Sequence, residues 1–114
     1  IDLLGLKRGK VLAVDCKRWL RWRKPKSPAL AKAAKMQEKR CRLLAEAVKI
    51  GFFEVEDVKC GKRIDIYPVL VTAYPPPKLF YDGVPVVPLY MFNEFLLNFE
   101  AVCDKLKRIT LTLA

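Results

Sequence analysis

Two short apolar runs, residues 2–7 and 10–16, meet at Arg8-Gly9, and this junction constrains the chain more than any other feature. A two-residue connection between apolar runs makes an antiparallel hairpin, and Gly9 supplies the positive φ that its turn demands. Lys7 then opposes Lys10, Leu6 opposes Val11, and the numbers of each opposed pair sum to 17. Asp2 therefore falls directly opposite Asp15, with Cβ atoms ~5 Å apart on one face. Lys17, two residues further along, shares that face. Carboxylates so placed repel unless something neutralises them. A divalent cation held between Asp2 and Asp15 would do so, and Mg²⁺ prefers such oxygen ligands with several waters. Lys17 would add a cationic group where a scissile phosphate or attacking water would sit. The plainer alternative is that Asp2 frays at the chain end while Asp15 pairs with Lys17 in solvent. Against it, Asp15 and Lys17 interrupt a run, VLAVDCK, that otherwise reads as a core strand.

After the hairpin comes a basic, Trp-rich connection over residues 18–27, broken by Pro25. Ser27-Pro28 predicts a helix start, with Ser27 as cap and Pro28 at the first helical position. The helix continues to Lys49 or Ile50, where Gly51 ends it. Its inward stripe is Leu30, Ala34, Gln37, Cys41, Leu44 and Val48. Gln37 is the strongly polar member, and a buried amide needs partners, so it is expected to face the Asp2, Asp15 and Lys17 cluster. The alternative is a slightly rotated helix with Met36 or Ala33 in the core. Residues 52–59 form a short strand or an extended connection, and Arg63 to Tyr74 reads as a buried strand with Pro68 as a blemish. A short strand at 84–89 follows the prolines at 75–77. A second helix over about 91–106 would show Phe92, Phe95, Leu96, Phe99, Val102, Cys103 and Leu106 on one face. The alternation at 109–113 ends the chain as a strand. The order is ββαβ(β)αβ, a single α/β domain with a mixed sheet and no internal repeat.

Charge is concentrated in one segment. Between Lys17 and Arg40 ten basic residues stand against Glu38, which is +9 in 24 residues of a chain whose total is +10. Trp19 and Trp22 lie among Arg18, Arg21, Arg23, Lys24 and Lys26, a mixture suited to phosphate contact with stacking against bases. The alternative is a solvated basic face with the tryptophans turned inward. So much positive charge on a small body implies a polyanionic partner, most simply nucleic acid. With 53% hydrophobic residues the chain is not a disordered tail. It has no apolar run near the ~18 residues of a membrane span and no signal segment, so a soluble cytoplasmic domain with no membrane partner is expected. The absence of histidine and the scattering of cysteines at 16, 41, 60 and 103 exclude a zinc ribbon, a His-ligated metal and a His-based triad. The cysteines allow three complete pairings, and we expect them as small buried thiols. Cys16 faces away from Asp15. A rival acid-x-lysine, Asp57-Val58-Lys59, follows Glu54 and Glu56, but no carboxylate-bearing strand is placed opposite it.

The segment IDLLGLKRGKVLAVDCKRW resembles the catalytic hairpin of the PD-(D/E)XK nuclease superfamily, the restriction endonuclease-like fold, and within it the Mrr and archaeal resolvase-like branches. The resemblance implies that Asp2 matches the first metal-binding aspartate, Asp15 the acid of the second motif and Lys17 its lysine. Lys17-Arg18-Trp19 also resembles that branch. Gln37 resembles the helix glutamine of RecB-like members, with Cys41 where they carry tyrosine. The family normally places a helix and a strand before the first aspartate, so the chain reads as N-terminally truncated, and whether these residues alone are active stays open. The resemblance implies a metal-dependent DNA nuclease with Asp2 and Asp15 on Mg²⁺ or Mn²⁺ and with Lys17 and Gln37 in the catalytic site. Two other classes stand beside it. One is a non-catalytic nucleic-acid-binding module on the same scaffold. The other is an interaction domain, such as a homodimer, that packs through the C-terminal helix bearing Phe92, Phe95 and Phe99.

Overall fold

The computed structural model describes residues 3–7, 9–17, 27–49 and 63–112, with the side chains of 3–7 and of Ser27 left aside. Strand β1 (Leu3–Lys7) pairs antiparallel with β2 (Lys10–Lys17), and Leu3 opposes Val14 while Lys7 opposes Lys10. This is the register that the two-residue loop implies. Gly9 has φ +79°, and a Cβ there would stand 3.0 Å from the Arg63 carbonyl oxygen. Its own carbonyl accepts from the Asp65 N–H at 2.9 Å. Glycine is needed at this turn for both conformation and close approach.

Helix α1 (Ser27–Lys49) buries Leu30, Ala34, Gln37, Cys41, Ala45 and Val48, with Leu44 half-buried. Met36 is exposed, so the rotated alternative does not hold. The helix crosses over the sheet and delivers β3 (Arg63–Thr72) parallel to β2, with Lys10 beside Asp65 and Lys17 beside Thr72. Eight of the ten β3 residues lie from Tyr67 to Thr72 or at Ile64 and Ile66, all buried. A parallel strand covered on both faces must read as such an apolar run. On its other side β3 pairs first with β6 (Ile109–Thr112), antiparallel along 63–66, and then with β5 (Val84–Pro88), parallel along 70–72. Pro68 falls in the gap between those two neighbours, where the ladder on that side is already interrupted.

Strand β4 (Phe80–Tyr81), which the sequence reading did not anticipate, forms a hairpin with β5. Asp82 and Gly83 join them with φ of +52° and +81°, the type I′ geometry that Asp-Gly favours. Lys107 fastens this turn to α1, with Nζ 2.9 Å from Asp82 and 3.3 Å from Glu38.

The second helix is not continuous. After a 3₁₀ turn at Leu89–Met91 come α2 (Phe92–Leu97), α3 (Phe99–Val102) and another 3₁₀ turn at Cys103–Lys105. Asn98 makes the break: its side-chain amide donates to the Glu94 carbonyl at 2.9 Å, beside its own backbone N–H at 3.0 Å. An amide side chain that competes for a helix carbonyl disfavours propagation. The aromatic face turns to the sheet: Phe99 packs edge-on against Tyr67 at 4.9 Å, and Phe92 and Phe95 cover Val14, Val69 and Val71. It is therefore not a face open to a partner, and Leu96, expected on it, is exposed.

The result is an α/β fold with a mixed sheet between α1 on one face and α2 with α3 on the other. Cys41 and Cys103 are buried as expected, whereas Cys16 is exposed. Burial pushes the Cys41 thiol up to about 12. No helix among the described residues is long and apolar enough to cross a membrane. The expected cap from Ser27, the end at Gly51, the element at 52–59, Cys60 and Leu113 lie outside the described residues.

Candidate functional site

Alternation along β2 turns Val11, Ala13, Asp15 and Lys17 toward α1. The first two are core residues; the last two carry charge to the strand's C-terminal end, which is where open parallel sheets place ligands. Asp15 is only 6% exposed, and its Oδ2 lies 2.9 Å from Lys17 Nζ and 3.5 Å from Arg40 Nη1. The solvated pairing considered for Asp15 and Lys17 is thus half right: they pair, but under cover of α1.

Gln37 is fully buried, and its Nε2 donates to the Ala13 carbonyl at 2.8 Å. That acceptor fixes the orientation of the amide, since only the nitrogen can donate. The other end, Oε1, is buried without a hydrogen-bond partner among the described residues. Leaving such an acceptor unmet costs about 1–3 kcal/mol. Gln37 is expected to face the Asp2, Asp15 and Lys17 cluster; the partner the structure gives it is the backbone carbonyl of Ala13, two residues before Asp15. Asp15, Gln37 and Thr72 are the buried polar or charged side chains among the described residues, and Thr72 stands beside Lys17 in the parallel register. Thr72 Oγ1 donates to the Tyr74 carbonyl at 2.7 Å, which leaves it a structural member of the group.

Arg40 was counted in the basic run but not placed at the site. Its position three residues after Gln37 was the available signal, since that spacing keeps two side chains on one helix face. Lys32, Lys35 and Lys39 are exposed on the outer side of α1. Asp2 lies outside the described residues, as do Arg18, Trp19, Arg21, Trp22, Arg23, Lys24 and Lys26, and the rival Asp57-Val58-Lys59. The residues that flank the Trp-rich segment are described: Lys17, in the site, and Ser27, where α1 begins.

The described site offers one carboxylate and two cationic groups. No cluster of three His, Cys, Asp or Glu side chains gathers among the described residues. A single buried carboxylate remains within what Mg²⁺ accepts, because that ion is held by one or two carboxylates together with waters and substrate phosphates. Comparison with known proteins finds no family model, no curated protein and no solved structure that matches the chain.

Proposed function

We propose that the protein is a metal-dependent nuclease that hydrolyses phosphodiesters of DNA, built on a restriction endonuclease-like core. The observation that carries this reading is Asp15 and Lys17 in contact on the α1 side of β2, with the half-satisfied amide of Gln37 beside them. Asp15 is the carboxylate for Mg²⁺ or Mn²⁺, and Asp2 is its proposed partner, on the strength of the hairpin register. Such an ion supplies charge neutralisation at a phosphate and a water made acidic enough to attack. Lys17 holds its ammonium next to Asp15, where it orients that water and meets the charge that develops on the phosphate. Arg40 is 40% exposed and can leave Asp15 for a phosphate oxygen as substrate arrives. Gln37 fixes the backbone at Ala13, two residues before Asp15. The basic residues from Arg18 to Lys26, with Trp19 and Trp22, are the proposed DNA-binding segment.

One observation favours a second reading. Asp15 Oδ2 already has two cationic partners, which is also how a purely structural ion cluster would look. On that reading the same scaffold binds DNA without cutting it. Incubation of DNA with the protein and Mg²⁺ or Mn²⁺ separates the two. Cleavage that needs the metal and disappears in Asp15→Asn is expected. Cleavage that persists in Asp15→Asn would remove the site assignment, and binding without cleavage in either metal would leave the scaffold reading.

A further inference from the structure

The 3₁₀ turn before α2 and the outer side of α2 also expose apolar residues, beside Asn93 and Glu94. Leu89, Tyr90, Met91, Leu96 and Leu97 are between 38% and 78% exposed, and Leu79 and Phe80 at the β4 edge are about half exposed. Leu79, Phe80, Met91, Phe95 and Val102 line one open groove of about 250 Å³ between the β4–β5 hairpin and α2 with α3. Large side chains present roughly 150–250 Å² each when free. Summed over the seven residues, on the order of 700 Å² of side-chain surface stays in water. It is close to the ~800 Å² that each partner contributes to a standard interface.

Charge narrows the choice of occupant. Residues 89–106 carry Lys105 against Glu94, Glu100 and Asp104, and Lys10 pairs with Glu100 at 2.6 Å, which leaves this layer near −1 on a chain of +10. Nucleic acid and anionic lipid are repelled here, whereas two copies of a strongly basic chain meet with least repulsion at this face. The patch also carries both halves of a contact. Leu97, 78% exposed, and Tyr90, 70% exposed, stand out from the segment whose next residues, Met91 and Asn98, line the groove. A two-fold axis brings the same patch to itself, so a ridge beside a groove is self-complementary.

We propose that this face binds a second copy of the chain, with Leu97 and Tyr90 of each copy entering the groove of the other. The proposal does not depend on the nuclease reading. It shifts the expected homodimer contact from Phe92 and Phe99, which face the sheet, to the exposed residues of the same segment and the groove beside Phe95.

Sedimentation equilibrium of the chain at micromolar concentrations tests it. The expected mass is twice 13.1 kDa, and the association persists or tightens in high salt, which screens the repulsion between two basic bodies. Leu97→Glu and Tyr90→Glu, both at exposed positions, are expected to weaken it by on the order of 30-fold or more, as hot-spot substitutions do. Leu43→Glu, on the exposed side of α1, leaves it unchanged, and unaltered urea midpoints confirm that the variants fold. A chain that stays monomeric throughout the micromolar range overturns the proposal. So does a dimer that survives both Leu97→Glu and Tyr90→Glu. Weaker DNA binding in Leu97→Glu with no change in mass would assign the face to nucleic acid and overturn it as well.

Discussion

At the scale of single residues, the balance around Asp15 decides what the site can do. Its carboxylate is covered by α1 and held by Lys17 and Arg40, both of which keep contact with solvent. Asp15→Asn removes a negative charge that would stand next to phosphate. DNA is therefore expected to bind as well as before, or better, while metal-dependent cleavage disappears. Lys17→Ala is expected to lower kcat more than it raises KM, because the ammonium matters most as charge develops in the transition state. Gln37→Met replaces a half-satisfied amide with an apolar side chain of similar volume. The relief of Oε1 offsets the lost bond to Ala13, so urea denaturation is expected to give a stability within about 1 kcal/mol of the parent or above it. Cleavage that falls in this stable variant would place Gln37 in the chemistry; unchanged cleavage would leave it a packing residue. Cys41 carries a pH effect. Its folded-state thiol keeps its proton up to about 12, against 9.0 for an ordinary thiol. Its contribution is complete below pH 9 and is lost as pH rises toward 12, since the unfolded chain ionises first. Stability measured between pH 8 and pH 11 is expected to fall less steeply in Cys41→Ala than in the parent, whatever the constant offset between them.

Among the elements, those with complete local signals were legible. The hairpin follows from Arg8-Gly9 and its flanking runs, α1 from Ser27-Pro28 and a long apolar stripe, β3 and β6 from apolar and alternating runs. The inward position of Gln37 was legible because its neighbours at helical spacing are all small or apolar. Two elements were not read correctly, and each has a local cause. The second helix has a sound apolar face, but at its middle the Asn98 side-chain amide adds a second donor to the Glu94 carbonyl, and a periodicity count does not weigh one amide. Strand β4 is only two residues long, too short for alternation to register, although Asp82-Gly83 was a usable hairpin signal. The contact of Arg40 with Asp15 depends on how α1 lies across β2, which no local pattern encodes. The turn at Gly83 gives a test at this scale. Alanine there must adopt φ near +81° and bring its Cβ within 3.2 Å of Lys107 Cβ. A left-handed conformation costs an L-residue about 1–2 kcal/mol, so Gly83→Ala is expected to destabilise by at least that much. A urea midpoint equal to the parent's would mean that the turn relaxes into another geometry.

Over the whole molecule, charge and apolar surface part company across the sheet. Helix α1 carries Lys32, Lys35, Lys39, Arg40, Arg42 and Lys49 against Glu38 and Glu46, a net +4, on the same side as Asp15 and Lys17. The opposite layer is net negative and apolar. A polyanion would therefore be drawn to the α1 side, where the proposed chemistry sits. Lys32, Lys35 and Lys39 are exposed at helical spacings of three and four, so they form a row of about 10 Å along the axis. If that row tracks a phosphate backbone, each contact releases counterions, and binding weakens with salt at a slope of about 0.9 per phosphate. Replacing all three with glutamine is expected to reduce the slope of log affinity against log salt by up to about 2.7 at unchanged stability. Replacing Arg21, Arg23, Lys24 and Lys26 instead is expected to reduce it by up to about 3.6. If only the second set matters, DNA engages the segment between β2 and α1 and does not lie along the helix. If neither changes the slope, phosphate contacts are made elsewhere, and the reason for placing a scissile phosphate beside Asp15 and Lys17 goes with them.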